Sequence, residues 1–242
     1  MTKLIDLMKL ELRRNNMKTY IISTIITCII MIVFIYLFAY APQIDPDPEL
    51  QIFAGYSNVI SLFSILSMAV FATMSAVMHT SFIIEEYKGK HAILLFTYPT
   101  KRSRIILAKL LVVSLFTALA MTLSNLISFT VFGISEQFSP LIDDQLNADI
   151  VIQFIKTTSI MAITAAGIGV ISVGIGFIKK SVPTTIISGV LIASLLCNAM
   201  FNPISNNSNV DTLSIATMLI TTIVALLVAM MLTIKVNTME VL

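Results

Sequence analysis

Apolar residues in this chain come in six long runs, roughly 20–40, 57–84, 110–134, 157–178, 183–201 and 212–234, separated by short polar intervals. Each run is near or above the ~20 residues that a helix needs to cross ~30 Å of hydrocarbon. A segment in lipid must satisfy its own backbone hydrogen bonds, so each run is expected to be a helix. The runs are too continuous for the alternating pattern of a membrane β-barrel. The expected fold class is an all-α integral membrane protein with six transmembrane helices, forming a single transmembrane domain over 1–242. Ahead of the first run, residues 1–18 place Leu4, Ile5, Met8 and Leu12 on one helical face and Lys3, Asp6, Lys9 and Arg13 opposite. That pattern predicts an amphipathic helix lying in the membrane interface, its cations towards anionic headgroups.

Orientation follows from the polar intervals. Every lysine and arginine except Lys156 falls in the N-terminal segment, the second-to-third or fourth-to-fifth connection, or the C-terminus. The opposite connections carry Asp45, Asp47 and Glu49, then Glu136, Asp143, Asp144 and Asp149, then Asp211. Basic connections stay cytoplasmic, so both termini are expected inside. The interval 41–50 holds Pro42, Pro46 and Pro48 and is expected to be extended or turn-like. The uncharged stretch 183–210 has room for a full span plus a short re-entrant piece.

Composition agrees with the pattern: 57% of residues are hydrophobic and 12% charged, about half the charged fraction of a soluble domain, and mean hydropathy is +0.95. A net charge of +2 does not point to nucleic acid. Cys28 and Cys197 lie inside apolar runs and read as small hydrophobes, with no metal or disulfide spacing. The first apolar run begins too late and is too long for a signal peptide. No phosphate-binding loop is present, so ATP hydrolysis is not expected of this chain. Carboxylates are nearly absent from the runs, which argues against proton- or sodium-coupled transport. His79, Glu85, Glu86 and His91 lie in one region, but metal ligation or intramembrane hydrolysis would need further convergent ligands. In the fourth run Gly167 pairs with Gly174, and Gly169 with Gly176, at spacings of seven. Two readings stand: close helix packing through small residues, or a deformable span.

The interval 85–109, EEYKGKHAILLFTYPTKRSRIILAK, stands apart. It holds eight charged residues around an apolar patch, Ala92, Ile93, Leu94, Leu95 and Phe96, closed by Thr97-Tyr98-Pro99. Positive-inside orientation accounts for Lys101, Arg102 and Arg104 but not for the patch or the proline. The layout runs Glu85, Glu86, Gly89, Leu94, Leu95, Pro99, Lys101, Arg102, Ser103, Arg104, Lys109. It resembles the permease subunits of ABC-2 type exporters, with His91-Ala92 departing from the polar residue common before the leucine pair.

The resemblance implies a coupling helix over about 88–97 that seats on a separate cytoplasmic ATPase. Ala92–Phe96 would be its apolar anchors, and Glu85, Glu86 and the basic cluster its charged rim. It implies a non-catalytic permease with no cofactor of its own, ATP and magnesium being held by the partner. It further implies a second permease subunit, identical or related, and a location in the bacterial cytoplasmic membrane. Small permeases of this build export amphipathic, antimicrobial or toxin peptides, which sets the expected cargo. The alternatives are an ATPase-independent channel or immunity protein, and an intramembrane hydrolase.

Overall fold

The computed structural model describes residues 4–44, 55–86, 102–138, 141–142, 147–205 and 210–238. Helices dominate them: α1 (Leu4–Arg14), α2 (Met17–Ile44), α3 (Tyr56–His79), α4 (Arg102–Phe138), α5 (Ala148–Lys179), α6 (Val182–Ser205) and α7 (Val210–Thr238). A π-helical turn, Thr80–Ile84, continues α3. Six helices among the described residues are long and apolar enough to cross a membrane, one for each apolar run. The architecture is all-helical, as expected.

The helices overrun the apolar patterns that predict them. α2 carries Pro42 within it and continues to Ile44, so the first four residues of the interval expected to be extended or turn-like are helical, and the rest of it lies outside the described residues. α4 starts at Arg102, and Arg102, Arg104 and Lys109 are helical residues of it. Arginine and lysine are good helix formers, so polarity at a run's edge marks where lipid contact stops, not where the helix stops. α6 is one helix from Val182 to Ser205.

The core lies in three tiers along the bundle. At the acidic end Phe63, Phe129, Phe132 and Phe154 pack together, with the Phe129 and Phe154 rings stacked 4.2 Å apart. The middle tier holds Met68, Phe71, Met121 and Met161. The basic end is filled by Met78, Phe82, Ile106, Val113, Val173 and Phe177. α3 and α5 are the most enclosed spans, whereas α2, α6 and α7 turn large apolar faces outward.

α5 is the hub, and its glycines set how closely its neighbours approach. A Cβ on Gly169 would meet Ser75 Oγ on α3, and one on Gly176 would meet Thr185 Oγ1 on α6. On the remaining face Gly167 lies against Thr221 and Gly174 against Val228, both on α7. Lys156 pairs with Asp211 at 2.7 Å further along the same seam. These contacts keep a near-constant register, so α5 and α7 run parallel and in contact over this length. In lipid, where no hydrophobic force drives helices together, small residues that permit close backbone approach are the usual means of association. A two-residue link joins α5 to α6. Lys180 adopts φ 47 while Ser181 N–H donates to the Gly176 carbonyl at 3.2 Å and Lys180 N–H to that of Phe177 at 3.4 Å, the Schellman pattern of a helix end.

Alanine at Gly174 gains about 1 kcal/mol of helix propensity but drives its methyl into the stiff, β-branched Val228, an overpacking that costs roughly 1–3 kcal/mol. Gly174→Ala is therefore expected to lower the thermal midpoint of the detergent-solubilised protein. Adding Val228→Ala is expected to restore most of the loss, since it removes the obstructing methyl.

Candidate functional site

At the basic end, three elements remote in sequence are tied by charge. Lys109, one turn-pair into α4, is fully buried. Its Nζ donates to Glu11 Oε2 at 2.7 Å and pairs with Glu86 Oε2 at 2.8 Å. Arg14 reaches the other oxygen of Glu86 at 3.2 Å. Asn15 Nδ2 donates to Glu11 Oε2 at 3.4 Å and to the Glu11 carbonyl at 3.3 Å, closing the end of α1 around the cluster. Two carboxylates and two cations make a group with no net formal charge. A lone buried ammonium would be prohibitively costly, and this pairing is what permits it.

Each member is placed by its own helix. On α1, Leu7 and Glu11 are the buried residues, and Arg14 continues the i, i+4, i+7 row. Leu4, Ile5 and Leu12 are exposed, Ile5 and Leu12 on the side turned away from that row. Glu86 comes just after the π-turn, in which Glu85 N–H bonds to the Thr80 carbonyl at 3.0 Å. A π-turn holds one residue more than an α-turn, so it rotates the succeeding residues about the helix axis and sets which of the two adjacent glutamates faces Lys109. Glu86 turns inward. Glu85 stays exposed and accepts a bond from Ser81 Oγ at 3.4 Å.

Of the residues expected at an ATPase contact, Glu86 joins this cluster, Glu85 lies at its edge, and Arg102 and Arg104 open α4 half-buried. Gly89, Ala92, Ile93, Leu94, Leu95, Phe96, Pro99 and Lys101 lie outside the described residues, as does His91. Gly167, Gly169, Gly174 and Gly176 are all helix-contact positions, away from the cluster. Sequence reasoning missed Glu11 and gave Lys109 no partner. The available signal was a carboxylate in line with Leu7 and Arg14 on a helix otherwise rich in cations.

His79 is buried just before the π-turn, its Nδ1 2.9 Å from the Ser75 carbonyl. Among the described residues no group of three or more His, Cys, Asp or Glu side chains could hold a metal ion. The two cysteines are free and half-buried. Cys28 Sγ lies 3.7 Å from the Ser124 carbonyl and Cys197 Sγ 3.7 Å from that of Ile65, each a contact between helices.

Breaking a buried pair from one side leaves its partner charges unmatched, at a cost of about 3–5 kcal/mol. Arg14 is half exposed, and pairs of that kind contribute roughly 0–1 kcal/mol. Lys109→Met is accordingly expected to lower the thermal midpoint strongly and Arg14→Gln hardly at all. Equal effects of the two, measured in the same detergent, would contradict the burial assigned to Lys109.

No solved structure matches the chain. It is 30% identical over 191 residues, 79% of its own length and 82% of the relative's, to the uncharacterized protein YcbO of Bacillus subtilis (strain 168). The family described as ABC-2 family transporter protein matches over residues 7–195, a range that contains α2 to α5, the ionic cluster and the interval 85–109. The chain belongs to the ABC-2 transporter family, as a membrane-spanning component of such a transporter.

Proposed function

We propose that this chain is the permease of an ATP-driven exporter in a bacterial cytoplasmic membrane, both termini inside, and that a separate ATPase docks on the interval 85–109. The observation that carries the proposal is the ionic cluster: Glu86 and Lys109, the two feet of that interval, are held against each other and against α1. A segment anchored so can pass a displacement to the ends of α3 and α4 instead of merely bending. Ala92–Phe96 provide the apolar anchors for the ATPase, with Glu85, Arg102 and Arg104 on the charged rim. ATP and magnesium reside in the partner.

A second permease subunit, identical or related, completes the transporter. α3 and α5 are locked within one chain by glycine contacts, while α2, α6 and α7 present apolar faces. A path between subunits leaves those contacts intact, whereas one through the chain would break them. The cargo class is amphipathic or antimicrobial peptides. Its support is the shortness of the sequence intervals between the six apolar runs and the scarcity of charge inside the spans, which suits an amphiphile better than a small ion.

Leu94→Asp or Leu95→Asp is expected to abolish co-purification with the ATPase while membrane insertion is unchanged. Retained association in both variants would overturn the docking assignment. With the complex reconstituted in liposomes, amphipathic peptides are expected to stimulate ATP hydrolysis severalfold. Stimulation by none of a broad peptide panel would reject the cargo class and leave the docking assignment standing.

A further inference from the structure

The α5–α7 seam does not close along its whole length. It is tight at Gly167 and Gly174, and beyond Gly174, towards the basic end, the helices part around a groove of about 550 Å³. That volume falls within the roughly 300–1,000 Å³ of small-ligand sites. Phe177 and Leu232 form its buried floor. Ile178, Met231 and Ile234 form a rim, each 65% exposed. Among the described residues the one charged residue lining it is Lys235, whose Nζ lies 6.0 Å from the centre of the Phe177 ring.

We infer that this groove binds an anionic phospholipid from the leaflet at the basic end, one acyl chain lying along Phe177 and Leu232 and the phosphate held at Lys235. The rim belongs to two membrane-spanning helices and faces outward, so lipid reaches it first. A headgroup is recognised by charge. Lys179 and Lys180, both exposed, follow the rim residue Ile178 directly in sequence at the end of α5, so two further cations lie next along the chain from the groove that Lys235 lines. The chain has no Asp or Glu between Asp149 and Asp211, nor between Asp211 and Glu240. Among the described residues that line the groove there is a lysine and no carboxylate, which selects an anionic over a zwitterionic headgroup. An ammonium carries three N–H donors, so a ring on one side does not preclude a phosphate on another. The flexible lysine stems can rise from the apolar floor to headgroup level. Cargo and ATPase play no part in the inference.

The chain contains no tryptophan, so a single introduced one reports on its surroundings without background. Full-length protein carrying Met231→Trp would be placed in vesicles containing brominated phosphatidylglycerol or brominated phosphatidylcholine at equal fractions. Leu195→Trp, on an outward face of α6 (70% exposed), serves as the reference. Quenching at position 231 is expected to favour phosphatidylglycerol about fivefold over the reference, the factor one cation near an anionic lipid surface provides. Lys235→Gln should reduce the preference and Lys235→Arg should keep it. Adding Lys179→Gln and Lys180→Gln to Lys235→Gln should bring it to the reference level. Equal quenching by both lipids overturns the inference, as does a preference that survives loss of all three lysines or is lost equally with Lys235→Arg. Resistance to both lipids also overturns it, by showing that protein covers the groove.

Discussion

A fully buried lysine between two carboxylates is the constraint on which the basic end of this bundle depends. Lys109 cannot be neutralised by water where it sits, so Glu11 and Glu86 must both be brought to it. That requirement fixes α1 against α4 and fixes the end of α3 beside the start of α4. Arg14 balances the second carboxylate. The interval between Glu86 and Lys109 thus leaves and rejoins the bundle at one point. Without the cluster, α1 would adhere mainly through Leu7 and Met8, too few contacts to hold an eleven-residue helix in one orientation.

The other end and the middle are held differently. At the acidic end the buried Glu136 accepts the Leu141 N–H at 3.1 Å and the Tyr56 hydroxyl at 3.3 Å. Ser67 donates to Asn125 at 2.6 Å across α3 and α4. Between these polar ties, α5 meets three neighbours through glycine: α3 at Gly169, α6 at Gly176, and α7 at Gly167 and Gly174. Two glycine stripes serve three interfaces: Gly167 and Gly174 both face α7, while Gly169 and Gly176, two turns apart on the other stripe, meet α3 and α6 in turn.

How much of this was legible in the sequence depended on the range of the physics involved. The thickness of hydrocarbon acts on each run separately, so six spans and the segregation of basic from acidic intervals could be read directly. The glycine stripes were visible for the same reason, as a spacing within one helix, although their partners were not. Helix ends were misplaced because hydropathy marks lipid contact: Arg102 and Arg104 are helical though polar, and Pro42 sits inside α2. The ionic cluster was illegible because Glu11 and Lys109 are 98 residues apart, and the one local hint, Glu11 in line with Leu7 and Arg14, does not name the partner. The π-turn, which decides between Glu85 and Glu86, leaves no pattern in TSFII that periodicity would detect.

The two kinds of tie respond differently to displacement. Lys109 and Arg14 reach their carboxylates through long, rotatable stems, and Glu86 holds two cations at once, so small movements of α1, the π-turn and the start of α4 can be matched by rotamer changes that keep every charge paired. A glycine contact has no such reserve. There is no side chain to re-aim, and a gap of 0.5–1 Å already forfeits about a quarter to a half of each dispersion contact. The ionic cluster thus stays paired while it moves, so a displacement at the basic end passes on to the ends of α3 and α4, whereas the close-packed length resists deformation. α5 and the helices seated on its glycines move as a block, and the π-turn, lying between the packed length of α3 and Glu86, is where the two regimes meet.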